Sequence, residues 1–260
     1  MNPRQRALAV LRLRDPLDKA AQARALFASL DPASIDCRAR FAEPDDLPGR
    51  PARPCLVPAK SVPTRSPFTR EGRAALLHAV THIEFNAINL ALDAVWRFPD
   101  MPPAYYTDWL RVAAEEARHF TLLREHLVSL GHHYGDFDAH DGLWAMTERT
   151  AHDPTARMAL VPRTLEARGL DATPPMQEKL RRAGDLRAVE ILAQILRDEI
   201  GHVAIGNRWY RWLCARDGHE PIAHYAGLAA RHQAPRLRAP FNHAARRAAG
   251  FTEAEIATLE

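Results

Sequence analysis

Apolar residues recur at helical spacing through most of the chain, and the polar residues that interrupt them are few enough to name. Leu77, Val80, Ala87, Ile88, Ala91 and Val95 share one face ahead of Pro99, Pro102 and Pro103, predicting a helix from about 69–73 to 98. Trp109, Ala113, Phe120, Leu123 and Leu127 predict a second from about 104 to 130, with Gly131 as its stop. A third is expected from about 142 to 167 with Pro162 inside it. The stretch from Gly169 to Pro174 should then break the pattern before a short helix to about 183. Gly184 and Asp185 read as a C-terminal stop and an N-cap for a fourth helix, whose stripe runs from Val189 through Leu213. Ahead of these, residues 3–30 read as one or two short helices broken at Asp15-Pro16. Seven prolines between Pro44 and Pro67 then forbid regular helix and favour an extended strap. The pattern therefore predicts an all-α chain in three parts: helices and strap over 1–68, a four-helix bundle over 69–216, and a C-terminal helical extension over 217–260.

Composition narrows the class without naming a function. Hydrophobic residues make up 47% of the 260 positions and glycine only 12, which suits a sizeable helical core. A formal charge of +3 is too small to argue for a polyanionic partner over the whole surface. Cys37, Cys55 and Cys214 are odd in number and far apart, so neither a disulfide framework nor a thiolate metal site is implied, and a reducing, cytoplasmic setting is expected. No stretch of 18 uncharged apolar residues occurs, and the N-terminal apolar run is broken by arginines, so neither a membrane span nor a signal peptide is expected.

Chemistry enters where carboxylates fall on the apolar faces. Glu84 sits on the inner stripe of the first long helix, and Glu116 and His119 on that of the second. Glu199 and His202 occupy the fourth, and Glu166 the third. Residues three apart share a helix face, so a Glu-x-x-His pair offers an oxygen and a nitrogen to a single ion. With 15 Glu and 13 His in the chain, about one such pair is expected by chance, so position carries the argument. Both EEARH (115–119) and DEIGH (198–202) fall on faces where an uncompensated carboxylate costs several kcal/mol. A turn near Asp100 lies 16 residues from both Glu84 and Glu116, which brings the two to one level in an antiparallel hairpin. The later hairpin repeats the arrangement around Gly184. Four carboxylates and two imidazoles are thus expected to converge, with Glu148 or Glu190 as alternatives to Glu166 if the register around Pro162 differs.

This set, with the phrases AVTHIEFNAINLALD, RVAAEEARHF, LEARGLDATP and LRDEIGHVAIGNRWYRWLC, resembles the ferritin-like superfamily of di-iron carboxylate proteins. Along residues 70–250 it is similar to a bacterial ferritin-like family still labelled a domain of unknown function. The resemblance implies Glu84 and Glu166 as terminal ligands, Glu116 and Glu199 as bridges, and His119 and His202 as one nitrogen donor for each metal. Two iron ions, or iron with manganese, are the implied cofactors. Glu115 and Asp198 are candidates to accept a hydrogen bond from a ligand imidazole.

The implied activity is an oxidoreductase that uses dioxygen to oxidise or hydroxylate an unnamed substrate, with electrons from an external donor. The alternative is iron handling, as a ferroxidase, or metal binding without catalysis. A homodimer is the default assembly. Five arginines with His232 and His243 between Arg231 and Arg247 add RNA as a lesser substrate candidate, against a plain solvated basic helix. Gly206 is read either as room for substrate or, more often for such a glycine, as close helix packing. His78 and His82 lie off the Glu84 face and are expected to meet solvent or a neighbouring segment, with Trp209, Tyr210 and Trp212 as packing residues.

Overall fold

A computed structural model describes residues 1–259. It is helical, with no strand among the described residues and a single parallel bridge between Leu56 and Ala139. The chain forms two compact units, Met1–Trp144 and Ala145–Glu260.

One local signal recurs in both units. Asn2-Pro3, Asp15-Pro16, Asp31-Pro32, Asp153-Pro154 and Glu220-Pro221 each place a polar side chain at the N-cap, where it accepts from free backbone N–H groups. The proline that follows stands where a missing N–H costs nothing.

In the first unit, helices α1 (Pro3–Leu11) and α2 (Pro16–Ala28) precede the strap, which leads into α3 (Arg70–Arg97) and α4 (Pro103–Ser129). Thr69 caps α3 by accepting from the Gly72 N–H, and Gly131, at φ 79°, follows the end of α4. Asp100 takes the left-handed conformation in the turn between them, so α3 and α4 form the expected antiparallel hairpin. Helix α1 packs on α3, and α2 on both.

Arg4 is wholly buried with no carboxylate partner among the described residues. Its guanidinium instead donates to the carbonyls of Val95 and Trp96, in the last turn of α3, and to those of Asp36, Cys37 and Ala39 in the strap. A cation thereby satisfies carbonyls that a helix end leaves without partners. The strap continues along α1, where the Gly49 N–H donates to the Leu11 carbonyl. A Cβ at Gly49 would stand 2.1 Å from the Arg12 carbonyl oxygen, so only glycine fits.

The second unit corrects the expected third helix. Helix α5 (Gly142–Arg149), in which the boundary between units falls, stops early, and the rod restarts at α6 (Pro154–Leu160). A π-helical segment, Val161–Glu166, follows and leads directly into α7 (Ala167–Arg182). The break therefore lies between Arg149 and Pro154, and the expected interruption at 169–173 is absent.

Two of the three prolines inside this rod, Pro162 and Pro174, are accommodated by partners. The π turn absorbs Pro162. Pro174 denies the Leu170 carbonyl its helical donor, and the Asn242 side-chain amide supplies one at 3.2 Å.

Helix α8 (Leu186–Asp217) packs along the rod, capped by Asp185 and ended by Gly218 at φ 73°. Helices α9 (Pro221–Arg231), α10 (His243–Ala248) and α11 (Glu253–Ala257) complete the unit. Its core joins Ala167, Leu170, Val203, Ala249, Phe251 and Ile256. Buried Arg163 ties the parts together through Asn207 Oδ1 (2.6 Å) and Glu255 Oε1 (2.8 Å), inside a ring of Tyr210, Tyr225 and Phe251.

Gly206 is the notch that receives Pro162, since a Cβ there would stand 2.6 Å from the Pro162 Cβ. The close-packing reading of this glycine holds. Gly206→Ala is expected to cost about 1–3 kcal/mol by overpacking, roughly 2–4 °C per kcal/mol for a chain of this size. An unchanged melting temperature would show that the proline ring yields freely. No helix among the described residues is long and apolar enough to cross a membrane.

Candidate metal centre

Within the first unit, the α3–α4 hairpin brings Glu84, Glu116 and His119 together. His119 Nδ1 lies 3.1 Å from Glu84 Oε2 and 3.3 Å from Glu116 Oε2. Each of the three offers a ligand atom within 4.8 Å of the others, and all three are buried. Burial pushes the Glu84 carboxyl up to about 7, and the neighbouring Glu116 carboxylate adds to the rise, while His119 opposes it. One imidazole and two carboxyl groups converging in a buried pocket could hold a metal ion.

The residues that follow Glu84 and His119 form an aromatic wall. Phe85 and Phe120 pack with ring centroids 5.6 Å apart, and Tyr134 lies against both. Beyond it, His82 is held between Tyr134 Oη (2.8 Å from Nδ1) and the Asn86 amide (3.0 Å from Nε2). His82, Phe85, Asn86 and Tyr134 line a cavity of about 240 Å³ under the strap, together with Arg50.

His78 and His82 thus meet a neighbouring segment and stand apart from the Glu84 cluster. His132 faces Asp136 at 3.6 Å in the loop after α4. Nothing in the sequence marked Tyr134 or Arg50 as neighbours of this helix, because the loop and strap that carry them have no periodicity to place them.

In the second unit, α8 presents Glu199 and His202 on one buried face, with His202 Nδ1 at 3.4 Å from Glu199 Oε1. Glu199 Oε2 is also buried and has no hydrogen-bond partner among the described residues, a costly state for a carboxylate oxygen. Glu166 closes the π segment. It is half-buried, with its Oε2 atom shielded from solvent. The two alternatives to it, Glu148 and Glu190, are exposed, and Glu190 pairs with Arg187. Glu115 and Asp198 are half-buried beside the acids they precede. Trp209 and Tyr210 are buried packing residues, and the Tyr210 hydroxyl donates to the Pro221 carbonyl.

No solved structure matches the chain. It is similar to an uncharacterised protein of Haemophilus influenzae, with 52% identity over 219 residues, which cover 82% of this chain and 76% of the relative. The model of the family described as "Protein of unknown function (DUF455)" matches residues 12–257, and the chain belongs to that family.

Proposed function

We propose that this chain is a ferritin-like four-helix protein whose six ligands, Glu84, Glu116, His119, Glu166, Glu199 and His202, hold two metal ions for oxidative chemistry. The bundle would consist of α3, α4, the α6–α7 rod and α8. The buried trio of Glu84, Glu116 and His119 carries this reading, because it brings two carboxyl groups and an imidazole, all shielded from solvent, within 4.8 Å of one another as ligand atoms. The unpartnered Oε2 of Glu199 is a second acceptor suited to a cation. Carboxylate and imidazole donors without thiolate suit iron or manganese. Two iron ions, or iron with manganese, supply when bound the redox capacity to oxidise a substrate with dioxygen, given electrons from a separate donor.

The chain's own residues have defined tasks in this reading. Glu116 and Glu199 would be the carboxylates shared between the two ions, and Glu84 and Glu166 would each serve one of them. Glu115 and Asp198, four residues before the two histidines, accept an imidazole N–H and fix the tautomer that presents nitrogen to metal. Phe85 and Phe120 keep water from the Glu84 side.

The test is metal content by mass spectrometry on anaerobically purified protein, with oxygen uptake measured after reduction. About two iron or manganese ions per chain are expected, falling to less than half an ion in Glu116→Ala and in Glu199→Ala with helical content unchanged. Metal-free wild-type protein, or metal retained in both variants, would overturn the reading. Bound iron without substrate-linked oxygen uptake, in a large multi-subunit cage, would instead assign iron handling.

A further inference from the structure

A second concavity lies wholly within the second unit, between α7 and the segment that leads to α10. It has a volume of about 390 Å³, inside the range of roughly 300–1,000 Å³ typical of small-molecule sites. Three of its lining residues are exposed arginines, Arg168, Arg236 and Arg238, and none makes an ion pair among the described residues. The nearby acids are already engaged. Asp171, the acid in the lining, accepts from Arg246 through both oxygens and from the Asn242 N–H. Glu253 holds Arg247, and Glu255 holds Arg163 and Arg211.

Of the five arginines between Arg231 and Arg247, folding therefore spends Arg246 and Arg247 on internal pairs. Arg236 and Arg238 are left facing one groove with Arg168 from α7. Three like charges gathered in a concavity repel one another unless an anion joins them. Guanidinium groups match phosphate oxygens in bidentate geometry. The same lining includes Leu237 and the half-buried ring of Phe241, over which the Arg246 guanidinium already lies at 5.4 Å, so the ring accepts planar, electron-poor groups.

We infer that this groove binds a nucleotide, with its phosphate on Arg168, Arg236 and Arg238 and its base against Phe241. The shared chemistry is a phosphate next to a planar ring, supplied either by a free mononucleotide or by one residue of a single-stranded nucleic acid. No metal takes part, so the inference stands or falls separately from the oxidative reading.

Calorimetric titration of the full chain at low salt tests it with four probes: AMP, adenosine, inorganic phosphate and a short oligouridylate. AMP is expected to bind about tenfold or more tightly than either adenosine or phosphate alone. The variant Arg236→Gln/Arg238→Gln should weaken AMP binding by about tenfold or more with the melting temperature unchanged. Phe241→Leu should weaken AMP while leaving phosphate as it was. Oligouridylate binding tighter than AMP, and lost in the same arginine variant, identifies a strand as the source. Equal or weaker binding identifies the free nucleotide. If neither AMP nor oligouridylate binds at millimolar concentration, or the arginine variant binds both as well as wild type, the inference is wrong. Phosphate binding as tightly as AMP would also overturn it, because the ring would then contribute nothing.

Discussion

Between pH 6.5 and 4, His78 and His82 are expected to withdraw on the order of 6 kcal/mol of stability from the first unit. Both imidazoles lie on α3 under the loop that carries Tyr134, His78 stacked on its ring and His82 bonded to its hydroxyl. Burial lowers His78 from 6.5 to about 4, against some help from Asp136 and Asp138. It lowers His82 to about 3, reinforced by His78, Arg50 and His140. The sign follows from these directions. Below pH 6.5 the unfolded chain takes up protons that the folded chain refuses, so stability falls as the solution is acidified. The amount is comparable to the whole stability of many domains, roughly 5–15 kcal/mol.

Urea unfolding at pH 7, 5.5 and 4 should show this loss in the wild type and a much flatter profile in His78→Gln/His82→Gln. Comparing the two chains matters because Glu84, held up at about 7, contributes a slope of the opposite sign. Parallel profiles in the two proteins would refute the assignment.

Lys19 produces the second large effect, at the other end of the scale. Its ammonium is fully buried between α2, the strap and α3, donating to Gly49 O at 2.7 Å and Asn89 Oδ1 at 2.6 Å over the ring of Phe85. Burial, with the Arg50 charge adding to it, lowers the amine from 10.5 to about 7. Above pH 7 the unfolded chain therefore holds the extra proton, and stability should rise with pH up to about 10. A neutral amine still donates two hydrogens, so both bonds survive deprotonation.

Lys19→Met removes the titration and both donors. The deficit of the variant relative to wild type is expected to grow by about 3 kcal/mol from pH 7 to 9.5, read as the difference between their urea midpoints. A deficit that stays constant across that range would show that Lys19 remains charged when folded.

The long helices were legible because their faces repeat and their ends carry ordinary stop signals. Thr69 at the start of α3, Gly131 after α4 and Asp185 at the start of α8 stand where the spacing placed them. The trio of Glu84, Glu116 and His119 was legible for the same reason, since register along a hairpin is simple arithmetic. The 142–183 region was misread because the third helix was run through Asp153-Pro154 and broken instead at 169–174, and the partners that let a helix keep its prolines lie far away in sequence. Pro162 is absorbed by a π turn and the Gly206 notch, and Pro174 by Asn242, a residue 68 positions away. The true restart, Asp153-Pro154, carries the same Asp-Pro pair that was read as a break at Asp15-Pro16. Arg4 and Lys19 gave no hint of burial, because what accepts their hydrogen bonds is mostly backbone carbonyl from the strap and α3.

The π turn and the paired prolines also give the second unit its mechanical character. Helix α8 runs 32 residues without a proline, so its hydrogen-bond ladder is continuous and it resists bending along its length. The rod beside it is jointed twice, at Pro162 and at Pro174-Pro175, where ladder bonds are missing. Glu166 rides on the short link between the two joints, whereas Glu199 and His202 are fixed to the stiff member. Any give in the geometry of these side chains therefore belongs to Glu166, the carboxylate best placed to swing while the others stay still.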